Sequence, residues 1–282
     1  MGLQGARPIY HYCEKEKSAA FATDLLNLPT MREDFRPRTS KPCTAYIGHY
    51  ARTVNIALTD HSMPHNFTNQ QITELEAVLS PPRFGTYLRE VGGDRQRAMD
   101  LYCWNTKISS AFYVMLQFCE LSIRNGAVEA TEAVFGANWH LNRGFIYTLP
   151  VPKRGYQPRD DLTECARRLP TSGKVVAELK FAFWRHLFVK GQQARIWDPQ
   201  LAGAFPGYDQ TLTLGQARAS LFDDIDEVRK FRNRIAHHEP VFARNLDEDY
   251  RRIRRIIEWR RPGAAVWLDG VQEVTGLLGN RP

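Results

Sequence analysis

DRQRAMDLYCWNTKISSAFYVMLQFCELSIRNGAVEATEAVFG, residues 94–136, carries a long apolar period of helical spacing. Asp94 follows the Gly92-Gly93 stop and is an N-cap candidate. Behind it Leu101, Ile108, Phe112, Met115, Leu116, Cys119 and Ile123 recur at helical spacing, which predicts a long buried helix running as far as Gly136, straight or with one kink. Upstream, Thr68 is a cap candidate for a helix carrying Ile72, Leu75, Val78 and Leu79 on one face and stopped by Pro81-Pro82. A short helix through Phe84, Tyr87 and Leu88 joins the two. Downstream, the turn region TLPVPKRGYQP (148–158) precedes helices around 160–169 and 174–189. Phe181, Phe183, Trp184 and Phe188 in the second are read as core. A long helix at about 213–238 ends where Pro240 biases Glu239 away from helical backbone, and two more follow at about 246–260 and 264–278. No β alternation, internal repeat or glycine-rich phosphate loop appears, so the expected class is all-α, a helical bundle.

The composition suits such a bundle. With 282 residues, 43% of them hydrophobic, the chain can fill one large core or two small ones, and a disordered or collagen-like reading is excluded. A formal charge of +7 favours polyanionic partners without requiring them. Cys13, Cys43, Cys103, Cys119 and Cys165 are odd in number and show no C-x-x-C spacing, which argues against a disulfide framework or zinc ribbon and for a reducing compartment. No apolar run reaches the roughly 20 residues that cross a bilayer, and the first residues lack the apolar segment of an export signal. The expectation is a cytoplasmic protein with no membrane partner.

Chemistry concentrates at the end of the 213–238 helix, in Arg232-Asn233-Arg234-Ile235-Ala236-His237. A cation and an imidazole suit RNA cleavage by the neighbouring 2′-OH, which needs a base or acid near neutral pH and positive charge on the crowded phosphate, but no metal or cofactor. Arg232 can fork onto two phosphate oxygens, His237 can move the proton, and Asn233 can orient the imidazole or bind a phosphate oxygen. On an ideal helix, however, Arg232 and His237 sit about 140° apart. Convergence needs fraying at Glu239-Pro240, an arginine swinging round, or a second copy across a dimer axis; the homodimer is the favoured route. The competing reading is a capping histidine and a salt-bridged arginine at an ordinary helix end.

FRNRIAHHEPVF (231–242) resembles the C-terminal signature of the Abi (abortive-infection) family of HEPN ribonucleases, in which R-N-x-x-x-H is followed by a second His, Glu and Pro. LSPPRFGTYL (79–88), LYCWNTKISSAF (101–112), LSIRN (121–125), GKVVAELKFAFW (173–184) and WRRPGAAVWL (259–268) resemble the same family, in order, over about residues 68–282. The resemblance implies an HEPN-like bundle with additional helices over 67–282 and an endoribonuclease of anti-phage or toxin-like systems. Arg232, Asn233 and His237 would be its catalytic residues and RNA its substrate, with a regulatory antitoxin protein or RNA as a further partner. The alternative from another class is a non-catalytic HEPN RNA-binding or scaffold protein.

Four further groups carry open readings. Glu120, Arg124 and Asn125 either support the motif or form a plain Glu120–Arg124 helix ion pair, and His238 is either a second active-site histidine or a cap. Arg251, Arg254 and Arg255 either contact RNA or face solvent, and the cluster Asp223, Asp224, Asp226 and Glu227 is read as solvated carboxylates in preference to a metal site. Residues 1–66 show no sustained period and are expected to be a poorly ordered extension. Residues 1–62, before Met63, are expected to be dispensable and to reflect an over-extended gene start; the competing reading is an arm packed through Tyr10, Tyr12, Phe21, Leu25 and Leu26.

Overall fold

The computed structural model describes residues 66–282, so the expectations for the chain up to residue 65 lie outside the described residues. Within them twelve α-helices follow one another without a strand. The all-α class is therefore what the described residues adopt.

Local capping chemistry starts the helices where the sequence places them. Thr68 Oγ1 accepts from Gln71 N at 3.2 Å, and Gln71 Oε1 accepts from Thr68 N at 2.8 Å, a reciprocal box that opens α1 (Asn69–Leu79). Pro81 and Pro82 do more than end α1: they fill the first positions of α2 (Pro81–Glu90), where a missing N–H costs nothing. Asp94 Oδ1 accepts from Gln96 N (2.9 Å) and Arg97 N (3.1 Å), and α3 (Arg95–Phe135) then runs 41 residues unbroken, about 60 Å, to Gly136 at φ 81°. One face of it is buried from Ala98 to Ala130. Val78, expected on the buried face of α1, is instead 81% exposed.

Beyond α3 come α4 (Arg143–Ile146) and α5 (Pro158–Arg168). The helix expected at 174–189 is two, α6 (Ser172–Glu178) and α7 (Phe181–Leu187). Leu179 and Lys180 between them are extended, and the turn buries Leu179 together with Val175, Phe183 and Trp184. No Gly or Pro marks this break, because tertiary burial imposes it. A tight turn and a π-helical segment (Gln193–Trp197) lead into α8 (Asp198–Ala204), which the sequence pattern does not reveal because seven residues hold too few turns to show a period. Trp197 stacks on Phe188 at 4.2 Å and anchors it.

Another reciprocal box, Thr213 with Gln216, opens α9 (Leu214–Ala236), and α10 (Leu246–Arg260) follows. The last expected helix is again two, α11 (Pro262–Val271) and α12 (Val274–Leu278), parted by extended Gln272. Helix α3 is the spine, with α2, α8, α9, α10 and α12 packed along it. Cys103, Cys119 and Cys165 are free thiols, and no described helix is long and apolar enough to cross a membrane.

Candidate functional site

The C-terminal end of α9 is built as a tight corner. His237 N donates to Asn233 O (2.9 Å), His238 N to Ile235 O (3.0 Å) and Glu239 N to Arg234 O (2.8 Å), so the last carbonyls are satisfied by a Schellman turn. That turn needs a left-handed residue after the cap, and here it is His238, at φ 55°. Glycine is the usual choice at this position, since a Cβ there costs about 1–2 kcal/mol. Replacing His238 with Gly is expected to stabilise the fold by about 0.5–1 kcal/mol, the strain relief less the added unfolded-state entropy, as read by urea unfolding. A destabilised variant would mean that the imidazole itself holds the corner.

Asn105 on α3 fixes the chain after the corner. Its Oδ1 accepts from Val241 N (2.8 Å) and Phe242 N (3.2 Å) in a buried site, and the Phe242 ring lies 5.2 Å from that of Tyr87. Arg234 ties the intervening residues, its Nη2 donating to Pro240 O at 2.9 Å and its Nη1 lying 3.6 Å from Glu239 Oε2. His237, His238 and Glu239 are exposed between these anchors. Asn105 is not among the residues that the sequence nominates, although a polar residue on the apolar face that carries Leu101, Trp104 and Ile108 is a visible signal.

Arg232 points to α3. Its Nε lies 3.1 Å from Glu120 Oε1 and its Nη1 donates to Asn233 Oδ1 at 3.5 Å, a weak contact; both charged side chains are half-buried. Of the two readings for Glu120, the helix ion pair with Arg124 is not formed among the described residues, because Glu120 turns across to α9 instead. The Arg232–Glu120 contact is close but poorly aligned: Glu120 Oε1 is buried and accepts no hydrogen bond, and the buried Nε atoms of Arg124 and Arg234 have no partner either. Asn125 is exposed. No described hydrogen bond or ion pair links Arg232 to the imidazole of His237, so the chain places the cation and the histidines at one helix end without joining them.

The arginines after the motif are largely spoken for. Arg254 forks onto Asp269 (Nε 2.9 Å, Nη2 2.8 Å) and also reaches Glu258, and these hydrogen bonds push its pKa further up. Arg255 forks onto Asp224 at 2.8 and 2.7 Å. Only Arg251 of the three is exposed, with a surface pairing to Glu248 at 3.2 Å. Nor is the acidic cluster simply solvated. Asp224 is 5% exposed, and its burial pushes its carboxyl above the ordinary range despite the Arg255 and Arg252 guanidinia beside it. Asp226 and Glu227 are held by Arg185, Arg229, Lys230 and Arg244, and only Asp223 is exposed. These carboxylates neutralise arginines inside the bundle. No described group of three His, Cys, Asp or Glu side chains could hold a metal ion. Compared with known protein families, with curated proteins and with solved structures, the chain finds no match.

Proposed function

We propose that the chain is a metal-independent endoribonuclease of the HEPN type, on an HEPN-like bundle with additional helices, acting in abortive infection or a toxin-like defence. The observation that carries this reading is the strained corner itself. Two histidines are held exposed on a helix end clamped by Asn105 and Arg234, and one of them occupies a left-handed backbone position that glycine would fill at lower cost. Strain kept at a solvent-facing polar corner suits a site where position matters more than stability.

In the proposed reaction an imidazole, that of His237, removes the proton from a ribose 2′-OH. The oxygen attacks the adjacent phosphorus, the P–O5′ bond breaks, and the leaving oxygen takes a proton to become a 5′-OH, while the other fragment keeps a 2′,3′-cyclic phosphate. Arg232 stabilises the charge of the five-coordinate phosphate, and Asn233 orients either the imidazole or a phosphate oxygen. Since one copy leaves Arg232 and His237 unjoined, a homodimer that sets two helix ends face to face completes the site. His238, Glu120 and Arg124 support it. A cytoplasmic setting and an antitoxin-like protein or RNA as inhibitor belong to the same proposal.

A second reading, a non-catalytic RNA-binding or scaffold protein, is favoured by one fact: the Arg232 guanidinium already faces Glu120. Incubating the purified full chain with cellular RNA in EDTA separates the two. The nuclease reading expects cleavage that magnesium does not enhance, with products ending in cyclic phosphate and 5′-OH by mass spectrometry. Binding without cleavage leaves the scaffold reading, and cleavage that stops in EDTA and returns with magnesium overturns the proposed chemistry.

A further inference from the structure

Arginine is abundant in this bundle, and most arginines of the α9–α10 region lie against carboxylates. The segment between α3 and α5 is different. Residues 133–159 contain no Asp or Glu but carry Arg143, Lys153, Arg154 and Arg159. None of these four makes an ion pair among the described residues, and Arg143, Lys153 and Arg154 are exposed.

A groove of about 540 Å³ opens here between α4 and α5, within the size range of small-ligand sites. Arg143 and Arg159 line it beside Tyr147, a residue 68% exposed. Arg159 is fixed in place. Its Nη2 donates to Tyr147 O (2.9 Å) and Leu149 O (3.0 Å), its guanidinium lies 5.5 Å from the Tyr147 ring centroid, and its buried Nε has no partner. The Tyr147 ring is thus held by a cation on one side and open to solvent. Two acids share the groove: Glu164, neutralised by Arg167 and Arg168, and Asp160, in the first turn of α5 where the helix dipole favours it.

We infer that this groove is a binding site for single-stranded RNA, with an unpaired base stacking on Tyr147 and neighbouring phosphates on Arg143, Lys153 and Arg154. An exposed ring with the uncommitted Arg143 in the same groove, and Lys153 and Arg154 following Tyr147 by six and seven residues along the chain, suits a single strand, because every unpaired base offers a flat face and every linkage a negative charge. A duplex buries the bases that the ring would take. The inference rests on the ribonuclease reading only for its choice of RNA. It also moves RNA contact away from α10, where Arg254 and Arg255 are committed to Asp269 and Asp224.

The test is fluorescence anisotropy with a short labelled single-stranded uridine oligoribonucleotide and the full chain carrying His237→Ala, so that cleavage does not consume the probe. Tyr147→Ala is expected to weaken binding about tenfold, while Tyr147→Phe binds normally. Lys153→Ala with Arg154→Ala should flatten the slope of log affinity against log salt by about 1.4, roughly 0.7 for each phosphate no longer neutralised. Arg251→Ala, on α10, should change affinity less than twofold. Because these side chains are exposed, the variants should melt with the parent. No binding by the parent chain, unchanged affinity in the Tyr147 and Lys153/Arg154 variants, or a larger loss in Arg251→Ala overturns the inference. Binding with these sensitivities but no cleavage by the wild-type chain would overturn the nuclease reading and leave the groove standing.

Discussion

His237→Ala is expected to lower the rate of RNA cleavage by about 10² or more while the protein melts at the wild-type temperature. The two halves of this result have separate causes. The imidazole is exposed and makes no described side-chain hydrogen bond, so its removal leaves no orphaned partner in the core, and Ala keeps the backbone of the corner intact. General acid–base catalysis by a positioned side chain contributes about 10² to 10⁴ in rate, and that is what the variant should lose. On the proposed mechanism Arg232→Ala should cost a similar factor, by removing the cation assigned to the crowded phosphate. It differs in stability. Glu120 would be left half-buried without its counter-charge, so this variant should melt a few degrees lower, and Arg232→Lys, which keeps the charge but not the fork, should recover only part of the rate. Initial rates at one temperature, together with thermal melts of each variant, decide the matter. Unchanged cleavage by both alanine variants would remove the motif from the chemistry.

The parts of the molecule that are legible in the sequence are those that depend on a few neighbouring residues. Thr68, Asp94 and Thr213 cap helices because an oxygen two or three residues before an N–H reaches it in any context. The long period of α3 is visible for the same reason. A break without a local signal is not: α6 and α7 part at Leu179-Lys180 because Leu179 turns into the core. Partner choice is less local still. Glu120 has a suitable cation one turn away in Arg124 and takes Arg232 from another helix, while Arg254 and Arg255 find carboxylates 15 and 31 residues away in sequence. Spacing can nominate such residues. Only the packing of α3, α9, α10 and α11 decides which charges remain free.

Asn105 gives the clearest case of a residue whose role exists only in three dimensions, and its loss should be costly. Its side-chain oxygen serves two backbone N–H groups, those of Val241 and Phe242, and both residues are buried. Asn105→Ala therefore strands two donors where water does not reach, at about 1–3 kcal/mol each; allowing for some relaxation, a loss of about 2–4 kcal/mol is expected. For a domain of this size each kcal/mol lowers the melting temperature by roughly 2–4 °C, so the transition should fall by about 4–16 °C. Asn105→Asp keeps the acceptor but buries a charge, and should fall between the two. The same substitution bears on function, because Asn105 holds the segment that leaves the His237-His238 corner. Well below its melting point the alanine variant is expected to show kcat reduced about tenfold with KM little changed, since a loosened corner would misplace the proposed reacting groups without touching the Tyr147 groove proposed to bind RNA. A variant that melts like the wild type would show that the Asn105 bonds do not hold the corner. One that melts lower but keeps full kcat would separate the stability of this corner from any part in turnover.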